Sequence, residues 1–474
     1  MIRRILCILT LLLVPALFIT TTASQPTYAS SQASAARPTS AVPAAETTTA
    51  KELGAASTAV SRLLADWNSN QSLFDLGNGK KCPTVNTGGN CWWWSANAWM
   101  ALVSYAEEHS KSADATKIKS DLATSYRNIC AGQCPTAADQ NGKDPFTVNT
   151  AGNTWFDDIG WWEQMWLNAY QLTKTKNYLY LAEELWNYVT TNGFKAKGCG
   201  GVVQHHDKNG PPGGSGADAF ANSLYLRNSA WLYFVTGQSV YMTGDSHGGG
   251  AIYEAGWIRS ELIFHYAGPA PGSAGSQFMV ADHLTSGCTA AGDLSALQTQ
   301  GEMVNAWTDM YAACKKYGCP TTASYYNRLA NELALTVIRD TPAQNATYRS
   351  HHDQGQSEPT VDGQGILSEP CDPTTKAAWP RTCDLGNALG GKHPYKSYLI
   401  SKGIFERAIY CSNHNLNDSA LTSFAAKNAA SIAGLPHFGF LWDSSAANAP
   451  VIFPTQTSVL DGLDAHLGGS YAMC

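Results

Sequence analysis

Residues 153–170 read NTWFDDIGWWEQMWLNAY. Two adjacent acids, Asp157 and Asp158, stand at the head of a helix-like stretch that carries Trp155, Trp161, Trp162 and Trp166. Like charges side by side repel, and tryptophan is scarce in proteins. A helix starting near Thr154 sets Asp158 above Trp161 and Trp162, three and four residues on, and Trp166 and Tyr170 continue the same stripe. At least one carboxyl is then expected over an aromatic face instead of open solvent.

Working outward, the same period recurs along the chain. Amphipathic segments fall near 58–69, 92–109, 113–128, 157–173, 177–191, 218–236, 251–265, 297–314, 322–338, 398–412, 418–432 and 456–468. Short polar turns join several of them in pairs: QLTKTKN runs into YLYLAEELWNYV, and MYAACKKYGCPTTA into SYYNRLANELALTV. β-Branched alternation is scarce. The expected fold is all-α, with about six helical hairpins in one catalytic domain. A closed toroid, with one helix of each pair inside, fits this count, and an open helical solenoid gives similar periodicity.

The first residues suggest export. Arg3 and Arg4 precede an apolar run from Ile5 to about Ile19, with small residues after it, as in a secretory signal peptide spanning 1–29. A flexible Ala/Ser/Thr/Pro-rich leader is expected over 30–57 and the folded domain over 58–474. No later stretch is apolar for long enough to span a membrane, so no stable insertion is expected after signal removal. Of 13 Cys, Cys7 lies in the signal segment, and the even remainder suggests disulfides. Cys314 with Cys319, or Cys371 with Cys383, are close enough in sequence to staple loops. Zinc fits poorly, because no two C-x-x-C pairs occur.

Lys+Arg number 31 against 37 Asp+Glu, a net charge of −6, which excludes the basic footprint of a nucleic-acid binder. Charged residues make up only 14% while aromatics reach 11%. Indole and phenol faces that stack on the C–H faces of sugar rings suit a neutral polyhydroxylated ligand, although large aromatics also fill large cores. The low charge argues against a lyase acting on uronates, which wants a basic cleft.

The two acids have a plain alternative. Thr154-Trp155-Phe156-Asp157 fits a capping pattern, in which Asp157 satisfies free N–H groups at a helix start. A cap needs one acid, however. Where two share a desolvated site, burial and mutual repulsion keep one protonated and leave the other ionised. Those are the two states a retaining glycosidase needs: it sets its carboxyls about 5–5.5 Å apart, against about 6.5–9.5 Å for an inverting one. Adjacent Cα atoms lie about 3.8 Å apart, which favours the shorter gap.

At these residues the chain resembles glycoside hydrolase family 76, the endo-α-1,6-mannanases and their fungal cell-wall relatives. The resemblance rests on DDIGWWEQMWLNAYQLTKTKNYLYLAEELWNYV. It extends through CWWWSANAWMALVSYAEEH, CGGVVQHH, ANSLYLRNSAWLYFVTG, QGEMVNAWTDMY, GILSEPCD, SKGIFERAIYC and TQTSVLDGLDAHL. It implies an (α/α)6 barrel and retaining cleavage of α-1,6-linked mannose chains, with Asp157 as nucleophile and Asp158 as acid/base. No metal or organic cofactor is implied.

Substrate-binding positions implied with it are Trp93, Trp94, Asn97, Trp161, Trp162, Asn222, Asp282, Gln300 and Lys402. Most also have a structural reading: core packing for the tryptophans, a helix cap for Asn222, a turn cap for Asp282 and a surface cation for Lys402. The family's Tyr-Asn before the QG of Gln300-Gly301 is here Gln298-Thr299. Two HHD triplets, at 205–207 and 351–353, read as loops, and Asn345 and Asn417 open formal glycosylation sequons. The expected protein is a secreted, monomeric hydrolase of α-mannan. A mannan transglycosylase on the same scaffold and a noncatalytic mannan-binding protein remain as rival readings.

Overall fold

The computed structural model describes residues 43–76, 81, 91–130, 155–194, 199–204, 214–245, 248–285, 287–291, 297–341, 360–362, 364–368, 400–435, 442 and 453–468. Twelve helices organise them: α1 (Pro43–Asp66), α2 (Cys91–Glu108), α3 (Ala113–Cys130), α4 (Phe156–Thr173), α5 (Lys176–Gly193), α6 (Ala219–Thr236), α7 (Ala251–Glu261), α8 (Leu297–Tyr317), α9 (Ala323–Arg339), α10 (Ser401–Leu416), α11 (Ser419–Ala433) and α12 (Phe453–Leu467). A four-residue helical turn, Val240–Thr243, lies between α6 and α7.

Even- and odd-numbered helices bury differently. Almost every residue of α2 from Cys91 to Ala106, and of α6 from Ala219 to Leu232, is shielded all round, as helices walled on every side must be. On α5 and α9 the buried residues follow helical spacing, as with Leu329, Leu333 and Val337 of α9. The shielded helices touch in the order α2, α4, α6, α8, α10, α12 and back to α2. That ring closes, so the molecule is an (α/α)6 barrel and the solenoid alternative is excluded. The early turns of neighbouring inner helices meet around it: Trp93 stacks on Trp161, Trp161 meets Phe220, and the Ser401 hydroxyl donates to Gln298 Oε1 at 3.0 Å. The inner helices therefore start at one mouth of the barrel.

Two glycines let neighbouring inner helices approach. A Cβ on Gly301 of α8 would lie 2.7 Å from Phe405 Cα, and one on Gly403 of α10 only 2.5 Å from Ser458 Cα of α12. Backbone cannot yield as a flexible side chain does. Gly403→Ala is expected to cost about 1–3 kcal/mol, read as a lowered urea midpoint. An unchanged midpoint would mean that the two helices can part without loss.

Buried charge ties the ring together. Arg227 on α6 donates to Asp309 at 2.9 Å and to both oxygens of Glu302 at 3.1 Å, and Gln164 of α4 also donates to Glu302. Arg407 on α10 grips Asp461 of α12 at 3.1 and 2.6 Å, and its remaining nitrogen reaches Asn97 of α2 at 3.4 Å. Arg407 thus spans three inner helices, and the Arg227–Glu302–Gln164 chain links the other three.

The structure departs from expectation at two elements. Helix α1 begins at Pro43, inside the expected leader, because Ala55, Ala56, Ala59, Val60, Leu63 and Leu64 form a buried face on a strongly helical Ala-rich segment. The segment 251–265 is helical only to Glu261. Ile263–Ala267 is instead a strand, β4, paired antiparallel with β5 (Gln277–Val280), whose Phe278 packs on Trp307. Other strands are short: β1 (Trp67–Asn68) with β2 (Leu73–Phe74), and β3 (Gly214–Asp218) with β6 (His283–Thr285) and β7 (Ala290–Ala291). Among the described residues no helix is long and apolar enough to cross a membrane.

Cys314 and Cys319 are joined, as their spacing suggested, and Cys199 is joined to Cys288. The signal segment, the leader before Pro43, both HHD triplets, Asn345 and the Cys371/Cys383 pair lie outside the described residues. Asn417 is exposed at the left-handed end of α10.

Candidate active site

Helix α4 opens at the mouth where the inner helices start. Its N-cap is Trp155, which makes no side-chain capping bond. Asp157 Oδ1 accepts the N–H of Asp158 at 3.0 Å, and Asp157 Oδ2 accepts the Gln204 amide at 3.4 Å. The capping alternative therefore accounts for one oxygen of one acid and leaves Asp158 unexplained. Both acids are half-buried, and the helix that carries them is lined with aromatics. Trp161 stacks on Trp93 with centroids 6.2 Å apart, and Trp162 lies between Trp92 and Trp166 at 5.9 and 6.1 Å.

The two carboxyls hold protons unequally. Burial raises Asp157 to about 6, while hydrogen bonds from the Asp158 backbone and from Gln204 hold it back. Asp158 is pushed well above the usual carboxylate range, first by burial and then by the charge on Asp157. Burial and mutual repulsion thus favour one carboxyl of the pair staying protonated while the other ionises first. The start of α4 favours that single negative charge, since a helix N-terminus carries about half a positive charge.

A third acid joins them. Asp218 caps α6, accepting the Ala221 N–H at 2.7 Å, and is raised well above the normal range by burial, then by Asp157 and, less, by Asp282. Asp282 anchors the same corner: its carbonyl accepts the Ala219 N–H at 2.7 Å and its Oδ2 meets His283 Nδ1 at 3.1 Å. Its side chain keeps 39% of its accessible surface.

The remaining anticipated residues gather at this mouth, and most are engaged by the protein itself. Asn222 brackets Val202, accepting its N–H at 2.6 Å and donating to its carbonyl at 2.9 Å. Gln300 treats Val280 in the same way, at 3.0 and 2.8 Å. Asn97 donates to the Trp93 carbonyl and accepts from Arg407. Trp94 and Trp162 are buried, and Trp93 is 8% exposed. Lys402 is buried with its ammonium 5.7 Å from the Trp442 ring, not on the surface.

Gln204 and Asp218 were not singled out from sequence. Gln204 sits in the CGGVVQHH segment, where nothing local marks one amide above its neighbours. Asp218 carries the same helix-start signal that makes Asp157 look like a cap.

An (α/α)6 barrel whose inner-helix mouth holds two adjacent half-buried acids is a scaffold for acid/base and nucleophilic chemistry on a neutral substrate. The model of Glycosyl hydrolase family 76 matches residues 53–348, and the chain belongs to that family. The match ends before α10, α11 and α12, which complete the ring.

Solved structures resemble the fold. One is the α-1,6-mannanase of Salegentibacter sp. HEL1_6, at 17% identity and a TM-score of 0.58, covering 89% of this chain and 100% of that one. An inactive variant of that enzyme, with two aspartates replaced and α-1,6-mannotetrose bound, matches at 16% identity and a TM-score of 0.59, covering 88% and 99%. Dfg5 from Chaetomium thermophilum, in complex with glucosamine, matches at 14% identity and a TM-score of 0.58, covering 88% and 90%. Comparison of the sequence with curated proteins returns no match.

Proposed function

We propose that this protein hydrolyses α-1,6-mannosidic linkages within mannan backbones, with retention of anomeric configuration. The observation that carries the reading is the placement of Asp157 and Asp158, two adjacent half-buried acids, in the first turn of α4 at one barrel mouth, where burial raises both and the charge on Asp157 raises Asp158 further. The inactive Salegentibacter mannanase variant, altered at two aspartates and holding an α-1,6-mannan fragment, supports the substrate class.

In the first step an Asp157 oxygen bonds to the anomeric carbon as the glycosidic C–O bond breaks, and the departing oxygen takes the proton of Asp158. In the second, water attacks that carbon, gives a proton to Asp158 and frees Asp157 as carboxylate. The aromatic wall keeps bulk water from levelling the two acids. Of the anticipated substrate contacts, Asp282 has the most open side chain and is assigned a sugar hydroxyl. Trp93, Trp94, Trp161, Trp162, Asn97, Asn222, Gln300 and Lys402 are assigned the shaping of the sugar groove. Two disulfides fit an oxidising, extracellular setting.

The test is incubation with linear α-1,6-mannan, sizing of the products and NMR of the first anomer released. Internal cleavage yielding the α-anomer is expected; the β-anomer would overturn retention, and intact polymer the hydrolase reading. The pH profile has a set direction. Asp157 must be ionised, so kcat/KM should climb as pH rises through about 6, and it should fall again where Asp158 loses its proton. A rate rising steadily toward acid pH would contradict the assignment of Asp157.

A further inference from the structure

Segment 199–204 is held from several sides. The Cys199–Cys288 disulfide closes its start, and Trp257 Nε1 donates to the Cys199 carbonyl at 2.7 Å. Asn222 pins Val202 by both backbone groups, and the Val203 N–H donates to the Gly193 carbonyl at 3.0 Å. Gly201 lies at φ +73°, where a Cβ would sit 2.7 Å from Asn222 Oδ1 and from the Trp257 ring. At the far end the Gln204 carbonyl accepts the N–H of Phe156, the residue before Asp157, at 2.8 Å. Far fewer ties would serve if this segment only connected α5 to β3.

The last side chain of this strap is the one that faces the acid. We propose that Gln204 is a positioning residue for Asp157: anchored through the disulfide-closed strap, its amide donates to Asp157 Oδ2 and keeps that carboxylate aimed at the anomeric carbon.

The chemistry suits a neutral amide. Asp157 Oδ1 is turned by the Asp158 N–H, which leaves rotation about the Cβ–Cγ bond to be stopped from the other side. An ammonium there would form an ion pair and blunt the nucleophile, whereas an amide orients it and leaves lone pairs on both oxygens. The 3.4 Å contact has room to shorten in the substrate complex.

The inference rests on the hydrolase reading for its catalytic meaning, and a substrate-free measurement separates the two. NMR titration of the Asp157 carboxyl should show its pKa higher in Gln204→Ala than in wild type, and higher again in Gln204→Glu, which replaces a donor with a like charge. On α-1,6-mannan, Gln204→Ala should lower kcat about tenfold with KM nearly unchanged, the scale of one lost hydrogen bond to a charged group. The acid limb of its pH profile should move to higher pH, and the melting temperature should hold. A Cys199→Ser/Cys288→Ser double variant, assayed where circular dichroism shows it folded, should move the limb in the same direction.

An Asp157 titration identical in wild type, Gln204→Ala and Gln204→Glu overturns the proposal. So does a change in KM alone, and a wild-type limb in the double variant overturns the role of the strap. A wild-type chain that leaves mannan intact while the titration still shifts would instead sink the hydrolase reading and keep the Gln204–Asp157 contact.

Discussion

Asp158→Asn is expected to cut kcat/KM on α-1,6-mannan by about 10²–10⁴-fold, the usual worth of a positioned general acid, and Asp157→Asn by at least as much because it removes the nucleophile. The two losses differ in kind. An aryl mannoside whose leaving group departs without protonation should partly bypass the Asp158 defect in the first step and leave the Asp157 defect untouched. A uniform deficit of the Asp158 variant across good and poor leaving groups would count against its role as acid.

Stability should move the other way. Both folded-state pKa values lie above those of the unfolded chain, so the acids' contribution to folding falls as pH rises past the unfolded value and is least above the folded one. Removing one at neutral pH relieves that burden, and the melting temperature of either variant should hold or rise. A marked fall would point to a structural role instead.

Arg227→Met is expected to cost about 3–5 kcal/mol, seen as a large drop in urea midpoint. The residue is buried between α6 and α8, and its loss strands Glu302 and Asp309 without their cation. Burial already raises Asp309 to about 7, with Arg227 as the main opposing influence, so the variant should lose further stability as pH rises and Asp309 ionises. Combining Arg227→Met with Glu302→Leu and Asp309→Leu should recover much of the loss, since apolar packing can match a buried ion cluster. A single variant as stable as wild type would show that solvent reaches these groups.

The helices were legible because their periodicity is local. Leu329, Leu333 and Val337 declare a buried stripe whatever they pack against. Yet the same period cannot say that α2 touches α12, which closes the ring. The strand at Ile263–Ala267 escaped the reading because its apolar residues also fit a helix, and only pairing with Gln277–Val280 decides between them. Arg227 and Arg407 were passed over for a related reason. A charge within an apolar helix reads the same whether it snorkels to solvent or finds Glu302, Asp309 or Asp461 across the barrel.

The acid pair shows the division most plainly. That two carboxyls would stand together at a helix start beside a tryptophan stripe follows from the order of residues alone, because neighbours in the chain are neighbours in space. That order also marked Cys314 and Cys319 as a possible staple for the same reason. Only the tertiary structure decided that Asp157 takes the Gln204 amide, that Asp218 joins the acids from another helix, and that Asn97, Asn222 and Gln300 are bound to the protein's own backbone or side chains. Proton affinity and hydrogen-bond partners depend on what desolvates a group and what faces it, and those neighbours arrive from parts of the chain that meet only when the barrel closes.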